Sequence, residues 1–290
     1  MYGRERARAL ELRERYPHAR EVLGLYLALA EVWESAAHQD APPLEWAKVT
    51  GRSEAVEWVN AAGRSEAVEW AGAKVLPRVM AVTAAAGPRP LAEAMGGAVL
   101  NGGAEPLLAA WLADEELTPV ERYLARATLH ALAPRPRHTD ATPSGGVAPH
   151  PRGEAAGRCP VCGGPPQLSY RTASDDPLVS GRRMLACAKC PNDWSFSATT
   201  CPNCGESGKR TVHAEQQPGP HVGRPTPDGD GFFPHLRAES CQTCRRYLID
   251  IDLGRDPAAV PRVDELVAIP LDLHLAGQGQ TKITPNLMGF

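Results

Sequence analysis

The placement of the cysteines constrains this chain more than any other feature. All eight lie between Cys159 and Cys244, and each belongs to a C-x-x-C pair: Cys159/Cys162, Cys187/Cys190, Cys201/Cys204 and Cys241/Cys244. A C-x-x-C turn sets two thiolates on one side of a tight loop. Two such turns facing each other complete a tetrahedral four-sulfur site for zinc or rubredoxin-type iron. No cysteine is left over. Cys159-Pro160-Val161-Cys162-Gly163 and Cys201-Pro202-Asn203-Cys204-Gly205 end in a glycine free to take the positive φ that brings backbone N–H groups onto a thiolate. Cys187 to Pro191 and Cys241 to Arg245 lack that glycine and are expected to be the less regular turns.

Four turns combine into two sites in three ways. Sequential pairing leaves 24 residues between Cys162 and Cys187 and 36 between Cys204 and Cys241, the longer stretch holding the Pro/Gly-rich segment Gln217 to Gly231. Pairing across Cys190 and Cys201 leaves a tighter connection of ten residues. The expected sites are therefore Cys159, Cys162, Cys187, Cys190 and Cys201, Cys204, Cys241, Cys244, each holding one tetrahedral metal ion, with iron and zinc both compatible. Dithiol redox chemistry is the enzymatic competitor. It needs one exposed, low-pKa thiolate at a helix start in a βαβ setting, which fourfold repetition among Pro/Gly-broken segments does not provide.

The cysteine-free first half reads as helical. Val22, Tyr26, Leu29 and Trp33 line one helical face after Pro17, and Thr118-Pro119-Val120-Glu121 has the form of a capping box ahead of Tyr123, Leu124, Ala127, Leu129 and Leu132. GRSEAVEW occurs at Gly51 to Trp58 and again at Gly63 to Trp70. An offset of 12 residues turns the two tryptophans about 120° apart on a helix, so the repeat reads as a tandem duplication without functional weight. Pro134 to Gly157, with five prolines and four glycines, cannot form a core and reads as a linker. The expected organisation is a helical domain (1–133), this linker (134–157) and tandem rubredoxin-like or zinc-ribbon modules with a C-terminal helix and tail (158–290), an α plus small β fold. Ordinary packing would hold the first half together and metal the second.

Farther on, Tyr247, Ile249, Ile251 and Leu253 alternate with Leu248, Asp250 and Asp252, which predicts a strand with one buried face. Asp264 to Leu275 predicts a helix interrupted at Pro270, and Trp194 and Phe196 predict a shared buried strand face. His213, His221 and His235 read as surface histidines, because eight thiolates already satisfy two metals.

No phosphate-binding, dinucleotide-binding or zinc-protease motif is present, and the formal charge of −3 gives no global basic field. The start, Met1 to Leu10, is charged at once and lacks the apolar region of a secretory signal, while Val22 to Val32 is too short to span a bilayer. The expectation is a cytoplasmic protein without membrane insertion.

The cysteine segments resemble those of the formate dehydrogenase accessory proteins. The likeness runs through Cys159 to Gly163, Leu185 to Cys190 with Asp193-Trp194, Cys201 to Lys209, Arg237 to Cys241 with Cys244, Tyr247 and Leu248, and the tail from Asp264 to Asn286. The resemblance implies a helical domain followed by two rubredoxin-like modules, iron at the cysteines, and a non-catalytic role in maturing formate dehydrogenase by binding its catalytic subunit in the cytoplasm. The alternative is a zinc-ribbon protein that grips nucleic-acid phosphates through Arg182-Arg183, Lys209-Arg210 and Arg245-Arg246.

Overall fold

The computed structural model describes residues 2–39, 41–42, 44, 66–97, 103–132, 157–173, 181–214 and 233–289. The first GRSEAVEW copy, nearly all of the expected linker, the Gln217 to Gly231 segment and His221 lie outside them. Residues 66–70 of the second copy open a helix.

Among the described residues the first half holds seven helices: α1 (Gly3–Arg15), α2 (Arg20–Ala37), α3 (Glu66–Lys74), α4 (Leu76–Ala86), α5 (Arg89–Gly97), α6 (Ala104–Leu112) and α7 (Pro119–Leu129). Pro17 starts a single 3-10 turn, Pro17–Ala19, that bends the chain from α1 into α2. The expected face of α2 is buried, but so are Leu23, Leu25, Ala30, Val32 and Ala36, so the helix is enclosed on more than one side. Trp33 fixes it by donating its indole N–H to the Ala127 carbonyl at 2.7 Å. The α7 capping box forms as expected. The Thr118 hydroxyl accepts from the Glu121 amide, and the Glu121 carboxylate accepts from the Thr118 amide at 2.9 Å.

Both cysteine-bearing segments have one layout: turn, strand, strand, turn, strand. The first gives β1 (Pro166–Arg171), β2 (Arg183–Cys187) and β3 (Asp193–Ser195); the second gives β4 (Arg210–His213), β5 (Leu236–Cys241) and β6 (Arg246–Asp252). Within each set the pairing is antiparallel. The sets merge edge to edge in the order β3-β2-β1-β6-β5-β4, with β1 and β6 parallel through Ser169 to Asp250 and Arg171 to Asp252. A short β7 (Thr281–Lys282) from the tail runs parallel to β6.

β6 departs from the half-buried strand expected. Tyr247, Leu248, Ile249, Asp250 and Ile251 are all buried, because β6 sits inside the sheet with both faces covered. Asp250 tolerates this by accepting from the Ser169 hydroxyl at 2.6 Å and pairing with Arg171 and Arg237. Beside it Glu239 pairs with Arg171, Arg183 and Arg210. Four arginines thus surround two buried carboxylates across five strands.

The expected final helix is split into α8 (Pro261–Asp264), a 3-10 turn (Glu265–Val267) and α9 (Ile269–Gly277). The break falls at Ala268, ahead of Pro270, whose ring and missing N–H cannot continue the earlier helical hydrogen bonds.

The two halves share one core, contrary to the expected division between a packed half and a metal-held half. A single cluster of buried side chains includes Leu12, Leu23, Trp33 and Leu124 from the helices and Leu168, Phe233, Ile249, Ile251 and Leu266 from the second half. Tyr16 and Phe233 meet with ring centroids 5.2 Å apart. Buried polar ties reinforce the join. Arg126 of α7 donates to the Pro285 and Asn286 carbonyls and, at 2.7 Å, to Gln167 of β1, while Gln167 donates to Glu265.

Candidate metal centres

The eight thiols form two groups in the sequential pairing. Within each of the sets Cys159, Cys162, Cys187, Cys190 and Cys201, Cys204, Cys241, Cys244, all sulfurs lie within 4.8 Å of one another. Cross-turn separations are 3.6 Å (Cys159 to Cys190), 3.4 Å (Cys162 to Cys187), 3.8 Å (Cys201 to Cys244) and 3.7 Å (Cys204 to Cys241). A disulfide requires about 2.05 Å, whereas a tetrahedron with metal–sulfur bonds of about 2.3 Å has edges of about 3.8 Å. The donor set therefore fits a tetrahedral ion and not a pair of disulfides. Four sulfurs also fill the coordination sphere, which suits a closed site.

The turns explain how short loops achieve this. Gly163 and Gly205 adopt φ of 70° and 78°, and their amides donate to the Cys159 and Cys201 carbonyls at 2.9 Å. The Cys241 turn was expected to be irregular but has the same bond, Arg245 N–H to Cys241 carbonyl at 2.9 Å, because Arg245 itself takes φ of 55°. Its side chain helps hold that conformation by donating to the Gln278 and Gly279 carbonyls. The Cys187 turn does differ. Its sulfur accepts from the Lys189 and Cys190 amides at 3.3 and 3.5 Å, and Asn192 folds back to donate to Cys159 Sγ at 3.5 Å. Nothing in sequence marks Asn192, since its role depends on that fold-back.

The surroundings of the two centres differ. All four thiols of the first are buried, packed with Leu185, Trp194, Phe196 and Leu248. Trp194 and Phe196 are thus core around this centre, as their spacing suggests. Lys189 ties the Cys187 turn to the helical half by reaching the Leu112 carbonyl (2.9 Å) and Asp114 (2.7 Å), and Arg262 donates to the Cys187 carbonyl at 2.8 Å. In the second centre Cys201 and Cys241 are buried, Cys244 is half-buried and Cys204 is exposed. Without metal the crowded thiols titrate against one another. Hydrogen bonds among them, Cys162 to Cys159 foremost, lower Cys159 and raise Cys162, while burial pushes Cys201 up to about 12.

The histidines divide. His213 is half-buried and lies 2.8 Å from Ser240 Oγ. His235, expected at the surface, is fully buried, with Nε2 2.8 Å from Asp264 Oδ1. His235, Asp256 and Asp264 bring three donor atoms together, yet Arg8 already pairs with both carboxylates, at 2.5 Å to Asp256 and 2.6 Å to Asp264, and meets their charge without an ion. The basic dipeptides are also largely engaged. Arg183 is buried against Glu239, Arg210 pairs with Glu239, and Arg245 and Arg246 donate to backbone carbonyls. Among the described residues no helix is long and apolar enough to cross a membrane.

Comparison with known proteins agrees with this architecture. Residues 228–288 match the family model for the FdhE C-terminal domain. An FdhE homolog from Aquifex aeolicus is 31% identical over 136 residues, covering 46% of this chain and 41% of the relative. One from Pseudomonas putida is 33% identical over 138 residues, covering 48% and 40%. The chain thus aligns with about two fifths of the length of these curated relatives. The crystal structure of the FdhE protein from Pseudomonas aeruginosa has the same fold, with a TM-score of 0.58 at 20% identity over 99% of this chain and 95% of that one. In residues 228–288, in its cysteine-bearing half and in its fold, the chain is thus similar to FdhE proteins.

Proposed function

We propose that this protein is a non-catalytic maturation factor for formate dehydrogenase, binding the catalytic subunit in the cytoplasm through a surface that two metal ions hold in shape. The observation that carries this reading is the pair of closed four-sulfur groups in a chain similar to FdhE proteins. A filled thiolate shell supplies no water position for hydrolysis, so its contribution is structural, or redox where the ion is iron. The ligands are Cys159, Cys162, Cys187 and Cys190 at one centre and Cys201, Cys204, Cys241 and Cys244 at the other. Iron is favoured over zinc by the family resemblance.

The experiment is co-purification of a tagged chain with the formate dehydrogenase catalytic subunit, together with formate oxidation in a deletion strain. Capture of the subunit and loss of oxidation are expected. Normal formate oxidation without the protein would sink the reading. The nucleic-acid alternative loses support because Arg183, Arg210, Arg245 and Arg246 are already committed to partners within the fold.

A further inference from the structure

The two centres have the same ligands but differ in access. Gly164 passes so close to the first centre that a Cβ there would lie 3.1 Å from Cys187 Sγ and 3.2 Å from Cys162 Sγ. At Gly205, beside the second, an added Cβ would meet nothing within 4 Å. The first centre is closed by backbone, by Trp194 and Phe196, and by the Lys189 and Arg262 ties, whereas the second has an exposed thiol, Cys204.

The second centre is also unequal within itself. Cys201 and Cys241 are buried, Cys244 is half-buried and Cys204 is exposed. Burial anchors Cys201 and Cys241, and Cys204 is the ligand held least.

From this we infer that the second centre is an exchange site for a soft divalent cation, with Cys204 as the thiolate that opens it, while the first centre is a permanent fastening between the two halves. An incoming thiolate or chelator meets Cys204 first. Incoming donors would replace the ion's bond to Cys204 Sγ first and those to Cys244, Cys201 and Cys241 after it, each freed thiolate would take a proton from solvent, and the ion would leave with its new ligands without any change in oxidation state. A protein so built can accept or hand over metal at one end without coming apart at the other. The inference rests on the ligand assignment made above.

The test uses the full chain loaded anaerobically with two equivalents of zinc, challenged with a chromogenic chelator, and alkylated in parallel with iodoacetamide for peptide mass spectrometry. One equivalent is expected to leave at least about tenfold faster than the other, in line with the effect of supporting partners on metal affinity. Cys204 and then Cys244 should be labelled before any thiol of the first centre. Cys204→Ser should remove the rapidly released equivalent and leave the slow one. A cavity of about 240 Å³ between the halves touches Cys187 and Cys190, which are nonetheless 0% and 3% exposed. Labelling of those two first, or release of both equivalents in a single phase, would overturn the inference while leaving eight cysteine ligands in place. A chain that holds fewer than two equivalents would overturn the ligand assignment and the inference together.

Discussion

Arg8 and Asp264, 256 positions apart in sequence, form a two-pronged ion pair in which neither side chain reaches solvent. Burial alone would disfavour the Arg8 charge, but hydrogen bonds and charge from Asp264 and Asp256 outweigh it and raise its pKa. The pair pins α1 to the end of α8, and His235 leans on the same carboxylate. Removing the arginine leaves a buried carboxylate without its cation. Arg8→Ala is expected to cost about 3–5 kcal/mol in urea unfolding. Arg8→Lys should recover only part of this, because an ammonium cannot form the two-pronged contact. An Arg8→Ala chain as stable as the parent would contradict the role given to this pair.

A second prediction concerns pH. Burial first, and then the charge of Glu239, push Asp250 up to about 6 from its ordinary 3.8. Over that interval the folded chain holds a proton that the unfolded chain has released. The resulting stability is present below about pH 4 and is lost as pH rises through about 6. Relative to Asp250→Asn, which cannot ionise, the parent should therefore lose stability between those values and change little above them. Parallel unfolding curves at matched metal content would check this, and a difference constant with pH would be evidence against it.

Gly205 offers a clean measure of backbone strain. Its φ is 78°, and a Cβ would touch nothing, so Gly205→Ala adds no clash. The left-handed conformation itself should cost about 1–2 kcal/mol. The loss should appear as weaker zinc retention at the second centre only. Equal weakening at both centres would mean that the effect is not local.

Gly72 on α3 tests the opposite case. A Cβ there would lie 2.8 Å from Ala104 Cβ on α6, where neither group can swing aside. Gly72→Ala is expected to destabilise by about 1–3 kcal/mol through overpacking, despite alanine's better helix propensity. Stabilisation in a thermal melt would show that the two helices can separate at little cost.

The parts legible in the sequence were those governed by short-range geometry. The four thiol pairs follow from C-x-x-C spacing and their sequential grouping from the lengths between the turns, the α7 start from Thr118 and Glu121, and the inner face of α2 from Val22, Tyr26, Leu29 and Trp33. What escaped depends on distant partners. α1 is dense in charge and gives no apolar stripe, yet Arg8 is buried because Asp264 arrives from the other end of the chain. His235 reads as a surface residue until Asp264 is placed beside it, and Asp250 reads as solvent-facing until arginines from three other strands surround it. Arg245 gives no local hint of a left-handed conformation, since the carbonyls of Gln278 and Gly279 that support it come from beyond α9.

The parallel seam between β1 and β6 also dictates an order of events during synthesis. β1 is made early in the second half, but its seam partner runs from Arg246 to Asp252, and β7 follows only at Thr281. Closing such distant pairings requires the intervening chain first, and contacts of this kind slow folding. A nascent chain leaving the ribosome therefore carries its first cysteine group on a sheet edge that stays open until the second group has emerged. During that interval the edge is exposed to irregular pairing with other chains.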